Sequence, residues 1–340
     1  MTESNASPRA SGVGKRAGGL AGVLVVAKPA GPTSHDVVGL VRRLSGTRRI
    51  GHGGTLDPFA SGVLPLFLGP ATRLAEFHLG ERKAYRATVC FGASSTTDDL
   101  EGELTPVAGP VLDRERVEAA LERFRGRIVQ RPPSFSARKV HGRRAYALAR
   151  AGRTPELAAR EVVVLRLELL EWDASDPERP IAVLDVECSA GTYVRALARD
   201  LGSAIGSAAY LGALTRTASG SFRLSDAITL DAIRVAAEDG PAGVRRLLLP
   251  VDAGLDRFPA ITLGPAEVAD VVRGRLLRPP GVEPGTDPVR LRSEHGTLVA
   301  LGRWRGTALV PDKVLVERSR EMSEWPASPA VATASNRAGG

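Results

Sequence analysis

From Tyr85 the chain alternates, with Tyr85, Ala87, Val89 and Phe91 on one face and Arg86, Thr88 and Cys90 on the other. That period of two specifies a strand with one buried face. Such a strand needs partners beside it and a layer over it. Gly22 to Ala27 reads as a buried strand, and the apolar runs Val162 to Leu165 and Ile181 to Val186 read as further strands. Helical patterns lie between them. Ser34 offers an N-cap before Val37, Leu40, Val41 and Leu44 at helical spacing, and Gly46 stops that helix. Asp113 caps a second helix carrying Val117, Leu121 and Phe124, closed by Gly126, and a third is predicted from Tyr193 to Ile205. Helices interleaved with long strands imply an α/β (α+β) fold on a mixed sheet.

After Pro250 the texture changes. A helix is predicted at Pro265 to Val272, then short strands at Val289 to Arg292, Thr297 to Leu301 and Ala308 to Val310, separated by Gly and charged turns. This predicts a small β-rich unit over residues 251–320 behind a larger one over residues 21–250, as 340 residues with 43% apolar content allow. Residues 1–20 and 321–340 hold too few large apolar side chains to offset ordering entropy and are expected to be disordered. Both cysteines, Cys90 and Cys188, lie in alternating apolar runs and read as core residues of a reduced, cytoplasmic protein. The five histidines show no metal-ligand spacing, so no metal is expected. The apolar run from Leu20 breaks at Lys28, Pro29 and Gly31, too soon for a membrane span.

Lys and Arg outnumber Asp and Glu by 46 to 38, which favours a polyanionic partner without naming it. The chemistry concentrates in Gly51-His52-Gly53-Gly54-Thr55-Leu56-Asp57-Pro58, continued by Ala60-Ser61-Gly62-Val63-Leu64-Pro65. Asp57 precedes a proline and is bracketed by Leu56 and Phe59, so partial burial is expected. A buried carboxylate needs a cation.

Five separated blocks in one order give these residues a context: Val26-Ala27-Lys28-Pro29 with Gly31 and Ser34, the loop around Asp57, Lys83-Ala84-Tyr85-Arg86, the stretch from Gln130 to Arg150, and Gly191 to Gly202. With them the chain, from about Gly22 to Phe222, resembles the bacterial TruB-type tRNA pseudouridine synthases. The resemblance implies a mixed, largely antiparallel central sheet flanked by helices, the pseudouridine synthase fold, with a small C-terminal PUA-like RNA-binding domain. It implies an isomerase, active as a monomer, that converts uridine to pseudouridine in the tRNA T stem-loop, at position 55 in tRNA numbering. The reaction breaks C1′–N1, turns the uracil and forms C1′–C5, and it calls for a nucleophile and no cofactor. Asp57 stands in the nucleophile's position, whether it adds to C6 or acts at C1′, and Arg195 in that of the arginine that pairs with it. Tyr85 falls at the tyrosine that packs on the base. Stacking suits it better than proton removal, because a phenol with a pKa of about 10 needs an activating neighbour to act as a base. His52 matches the histidine that intrudes where the nucleotide leaves its stack, and its plainer reading is a loop histidine that shapes the turn. Leu214 matches the leucine under the aromatic ring, and Lys28 with Pro29 the pair that supports the loop. Arg138, Lys139, Arg143 and Arg144 form a basic cluster suited to the RNA backbone. Thr96 departs from the pattern, which usually has an aspartate there, although Asp98 and Asp99 follow.

Two other readings use the same residues. A glycosidase would employ a carboxylate at an anomeric carbon but needs a second acid, and none lies near Asp57 in the sequence. A tRNA-folding chaperone would use the basic surface and His52 without chemistry.

Overall fold

The computed structural model describes residues 19–135, 157–279 and 284–316, and the backbone of Lys139–Val140 and Arg143–Arg144. Arg138 and nearly all of both predicted tails lie outside these residues. Leu20, assigned by sequence to the N-terminal tail, is buried, and its N–H donates to Thr47 Oγ1 at 3.1 Å.

One ten-stranded sheet organises the larger part of the chain. Its main path runs Ile228–Thr229, Gly22–Lys28, Ser61–Leu68, Ala209–Ser219, Lys83–Phe91, Ile181–Cys188, Arg160–Asp173, Gly126–Gln130. Ile50–His52 pairs with Ser61–Leu68, and Phe222–Arg223 with Ala209–Ser219. Two pairings are parallel, Gly22–Lys28 with Ile228–Thr229 and Ser61–Leu68 with Ala209–Ser219. The rest are antiparallel, so the sheet is mixed and largely antiparallel, as expected.

The alternation from Tyr85 is realised. Ala87, Val89 and Phe91 are buried, and with Leu184, Val186, Leu197 and Leu201 they join one core beneath the helix Val194–Ala204. A second core packs Leu24, Val26, Leu64, Leu66 and Leu68 against Val37, Val38 and Val41 of the helix Ser34–Ser45. That helix corrects one expectation, because Thr33, not Ser34, is its N-cap. Thr33 has extended backbone, its hydroxyl accepts from the Asp36 N–H, and the Asp36 carboxylate accepts from the Thr33 N–H, a reciprocal box. Ser34 is thereby free for another use, described below. Gly46 closes the helix in the left-handed region, at φ 66°.

The stretch from Gly51 to Pro65 is less of a loop than its glycines suggest. Strands reach His52 and resume at Ser61, leaving Gly53 to Ala60 as the turn. The strand Ala209–Ser219 and the helices Leu230–Ala237 and Gly240–Arg246 had no counterpart in the sequence reading. A register shift between Leu211 and Ala213 breaks the alternation that would have marked the strand.

Beyond Pro250, Ala260–Leu263, Val289–Ser293, Leu298–Arg305 and Ala308–Val314 form a four-stranded sheet, with the helix Pro265–Val272 packed on it around Leu263, Val271, Leu291, Ala300 and Leu309. A smaller cluster, Leu74, Leu255, Leu298, Leu301 and Leu315, joins this unit to the main one. No helix among the described residues is long and apolar enough to cross a membrane.

Candidate active site

The turn from Gly53 to Ala60 offers backbone carbonyls that no strand partner satisfies, and buried carbonyls need donors. Two buried cations supply them. Lys28, at the end of the first strand, donates through Nζ to Pro29 O at 2.9 Å, Pro58 O at 3.2 Å and Ala60 O at 2.6 Å. Burial lowers its pKa to about 8 against the pull of Asp57. Arg216 donates to Gly54 O, Thr55 O and Val63 O. Ser34, released from capping, accepts from Leu56 N–H at 2.8 Å and donates to Leu56 O at 2.9 Å. Leu56 itself is buried in the core with Leu214. Asp57 therefore sits between residues anchored on both sides.

Its partner arrives from far along the chain. Arg195 opens the helix Val194–Ala204, whose preceding residue Tyr193 is held by Gln130 through two hydrogen bonds of 2.8 and 3.0 Å. The buried guanidinium places Nη2 3.0 Å from Asp57 Oδ2 and Nη1 3.1 Å from Asp99 Oδ2. It also donates to Thr97 O at 3.1 Å and Phe135 O at 2.9 Å, which fixes its plane. The Asp57 side chain keeps 36% of its surface exposed. Burial raises its pKa, Arg195 pulls it back, and Asp99 adds a further upward push.

Asp99 resolves the open question of the acidic loop. It is buried, and its Oδ1 accepts from Thr97 Oγ1 and from Glu101 N–H. Asp98 pairs with Arg199 at 2.8 Å. Sequence reasoning gave neither aspartate a role, although a signal existed: Arg195 and Arg199 stand four apart on one helix face, opposite two consecutive carboxylates. No second acid lies near Asp57 in the sequence, but the fold brings Asp99 to the same guanidinium. Both its oxygens are occupied in a buried site, so it cannot shuttle a proton as a glycosidase acid must.

The remaining candidates gather around the same turn. Tyr85, on the strand Lys83–Phe91, is half-buried and packs against the core that contains Leu56 and Leu214. Burial pushes its phenol above the ordinary value, so it is neutral at physiological pH, and it lies opposite the buried Arg216 in the antiparallel pairing of the two strands. His52 ends the strand Ile50–His52, and its Nδ1 accepts from Gly54 N–H at 3.3 Å, so it does shape the turn. Burial, then Arg216, lowers its pKa, leaving the imidazole neutral. For Lys139, Arg143 and Arg144 the backbone alone is described, a short antiparallel pairing of Lys139 with Arg144 and Val140 with Arg143. A cavity of about 810 Å³ lined by Phe77, Glu81, Arg82, Lys83, Arg223 and others contains none of the candidate residues. The gathered groups amount to a partly exposed, ion-paired carboxylate, a half-buried aromatic ring on the same core and a neighbouring Glu101 carboxylate whose pKa burial raises. That set suits nucleophilic chemistry on a flat ring.

Comparison with known proteins agrees. Residues 42–194 match the TruB family pseudouridylate synthase (N terminal domain), and residues 195–256 match the tRNA pseudouridylate synthase B C-terminal domain. The chain is 44% identical over 259 residues to the tRNA pseudouridine synthase B of Acaryochloris marina, covering 76% of this chain and 87% of that one. It is 41% identical over 299 residues to that of Azoarcus sp., covering 88% and 96%. Among solved structures it is similar to a chain of the "Structure of H/ACA RNP bound to a substrate RNA containing 2'-deoxyuridine", with a TM-score of 0.66, 28% identity and coverage of 88% of this chain and 86% of that one.

Proposed function

The chain belongs to the TruB family and is an isomerase that converts uridine to pseudouridine in tRNA; from that premise we propose that its target is the T-loop uridine, position 55 in tRNA numbering, and that Asp57 is its nucleophile. The observation that carries this reading is Asp57 itself. One of its oxygens is held by Arg195 at 3.0 Å while the side chain remains more than one-third exposed, and the adjacent Leu56 is buried in the core that also contains Leu214.

In this reading the target uridine leaves its stack and lies against Tyr85, with Leu214 beneath the ring and His52 in the space it vacates. Arg195 keeps Asp57 ionised and aimed. Attack at C6 and attack at C1′ both need an outward carboxylate oxygen here, and Asp57 serves either. Lys28 holds the turn in place. Arg138, Lys139, Arg143 and Arg144 neutralise phosphates of the T stem-loop, and the β-rich unit over residues 251–320 adds RNA contact to the catalytic unit over residues 21–250. The enzyme acts as a cytoplasmic monomer without a metal or cofactor.

The test is a T-loop minihelix treated with the protein and mapped by carbodiimide-stop primer extension. A stop is expected at the T-loop uridine with wild-type protein and none with Asp57→Asn. A stop at another uridine overturns the assigned position, and a stop that survives in Asp57→Asn overturns the assigned nucleophile.

A further inference from the structure

Arg199 stands one turn beyond Arg195 on the helix Val194–Ala204, and it repeats what Arg195 does. Arg195 joins two segments, the acidic loop through Thr97 O and Asp99, and the stretch after Gln130 through Phe135 O. Arg199 joins the same two. Its Nη1 donates to Asp98 Oδ2 at 2.8 Å and its Nη2 to Arg131 O at 2.9 Å. Its Nε donates to Asp200 Oδ1 at 2.9 Å, so each nitrogen of the fork has an acceptor and its plane is fixed.

The residue that Arg199 grips has an uncommon backbone. Among the described residues Asp98 is the one non-glycine with positive φ, at 61°. Aspartate tolerates the left-handed region at a cost, and such a turn persists where its surroundings hold it. Here the Asp98 N–H donates to Ser95 O at 3.2 Å, its carbonyl accepts from Leu211 N–H at 3.0 Å, and its carboxylate meets Arg199. Asp98 also stands between the two loop residues that Arg195 uses, Thr97 and Asp99. A shift of Asp98 therefore carries the second carboxylate away from the Arg195 guanidinium.

Arg195 cannot fix this loop by itself. Its guanidinium is shared among Asp57, Asp99, Thr97 O and Phe135 O, and Asp57 is the group whose chemistry it serves. A cation with a reacting partner keeps its place only if its other partners are held independently of it. Arg199 supplies that hold, since its three bonds go to Asp98, Asp200 and Arg131 and not to Asp57.

We propose that Arg199 is a positioning residue for the nucleophile: by clamping Asp98 and the Arg131 carbonyl to the helix it sets the place of Asp99, and thereby the aim of Arg195 on Asp57. The clamp acts from one helical turn away and touches none of the reacting groups. This deepens the function proposed above and rests on Asp57 being the nucleophile.

The experiment measures the single-turnover rate of the full chain at saturating T-loop minihelix, with RNA affinity and thermal melts alongside. The variants are Arg199→Met, Arg199→Lys, Asp98→Asn and Asp99→Asn, with the doubles Arg199→Met/Asp98→Asn and Arg199→Met/Asp99→Asn. Asp98→Asn removes the charge and keeps a residue that tolerates the left-handed backbone. Arg199→Met and Asp98→Asn are each expected to slow the reaction by about tenfold while affinity stays within about threefold. Their double variant is expected to be no more than about threefold slower than the slower single variant, because both remove the same ion pair. In the Asp99→Asn background Arg199→Met should cost less than about threefold, since the carboxylate that it places is already gone. Arg199→Lys, which keeps the charge and loses the fork, should recover part of the rate. If Arg199→Met fails to melt cooperatively, Asp98→Asn takes its place in the cycle with Asp99→Asn. Three results overturn the proposal: the full tenfold loss recurring in the Asp99→Asn background, affinity falling while the saturated rate is unchanged, or a lower melting temperature with an unchanged rate. An unaffected Arg199→Met beside an inactive Asp57→Asn overturns this inference alone, whereas an active Asp57→Asn overturns the proposed nucleophile.

Discussion

Two carboxylates meet the Arg195 guanidinium at nearly equal distances, 3.0 Å for Asp57 and 3.1 Å for Asp99, yet their side chains are 36% and 3% exposed. Asp99 has both oxygens engaged, by Arg195 on one side and by Thr97 and Glu101 on the other. Among the described residues Asp57 has one ion pair, and anchors act on the residues around it rather than on its side chain. Identical chemistry thus divides into one group that holds and one that is held ready. The division depends on which oxygens retain access, since the same cation serves both.

The largest way to break this contrast is Asp57→Asn. The single-turnover rate is expected to fall by at least about a thousandfold, because a nucleophile is lost. Affinity for tRNA should stay within about threefold and the melting temperature should not drop. A filter-binding titration and a thermal melt beside the rate assay check all three.

Asp99→Asn should reverse the balance. Leaving Arg195 short of a buried partner is expected to lower stability by about 2 kcal/mol. The rate should fall by only about ten- to a hundredfold, since Asp57 remains but its cation is less firmly placed. A melt that Asp99→Asn leaves unchanged would show that it holds nothing.

Changing Arg138, Lys139, Arg143 and Arg144 together to alanine should touch neither carboxylate. Affinity for tRNA is expected to weaken by about tenfold near physiological salt, with a shallower dependence of log affinity on log salt and an unchanged rate at saturating RNA. An unaltered salt slope removes the cluster from the interface.

The smallest effect concerns pH. Burial raises the Asp57 pKa, so the ionised nucleophile is lost on acidification sooner than for a surface aspartate, and the rate should climb with pH and then level off. Asp99 contributes to that rise as a like charge, so Asp99→Asn should move the acid limb to lower pH. A limb that moves upward would mean that the lost grip on Arg195 outweighs the lost charge.

How much of this was legible beforehand differs from residue to residue. Asp57 was marked by its immediate neighbours, Leu56, Pro58 and Phe59, because local composition predicts desolvation of a carboxylate. The helix Pro265–Val272 was read to the residue, since periodicity is a local property. Ser34 was misread because two adjacent hydroxyls competed for one cap, and the choice of Thr33 turned on Asp36 and on the use of Ser34 by Leu56, twenty-two residues away. Arg195 was paired with Asp57 only through the family resemblance, as no spacing in the chain relates them.

Taken alone, the amino-acid order determined the alternating strands, most helix limits, the change of texture after Pro250 and the site of the reactive carboxylate, all of which depend on neighbours within a few positions. The tertiary structure decided that Asp99 shares Arg195 and that Arg216, opposite Tyr85 in the sheet, reaches the turn before Asp57. Those contacts join residues roughly a hundred or more positions apart, and they exist because the strand order sets Ala209–Ser219 between Ser61–Leu68 and Lys83–Phe91. Strand order follows from how whole faces pack against one another, and no short window of sequence carries that information.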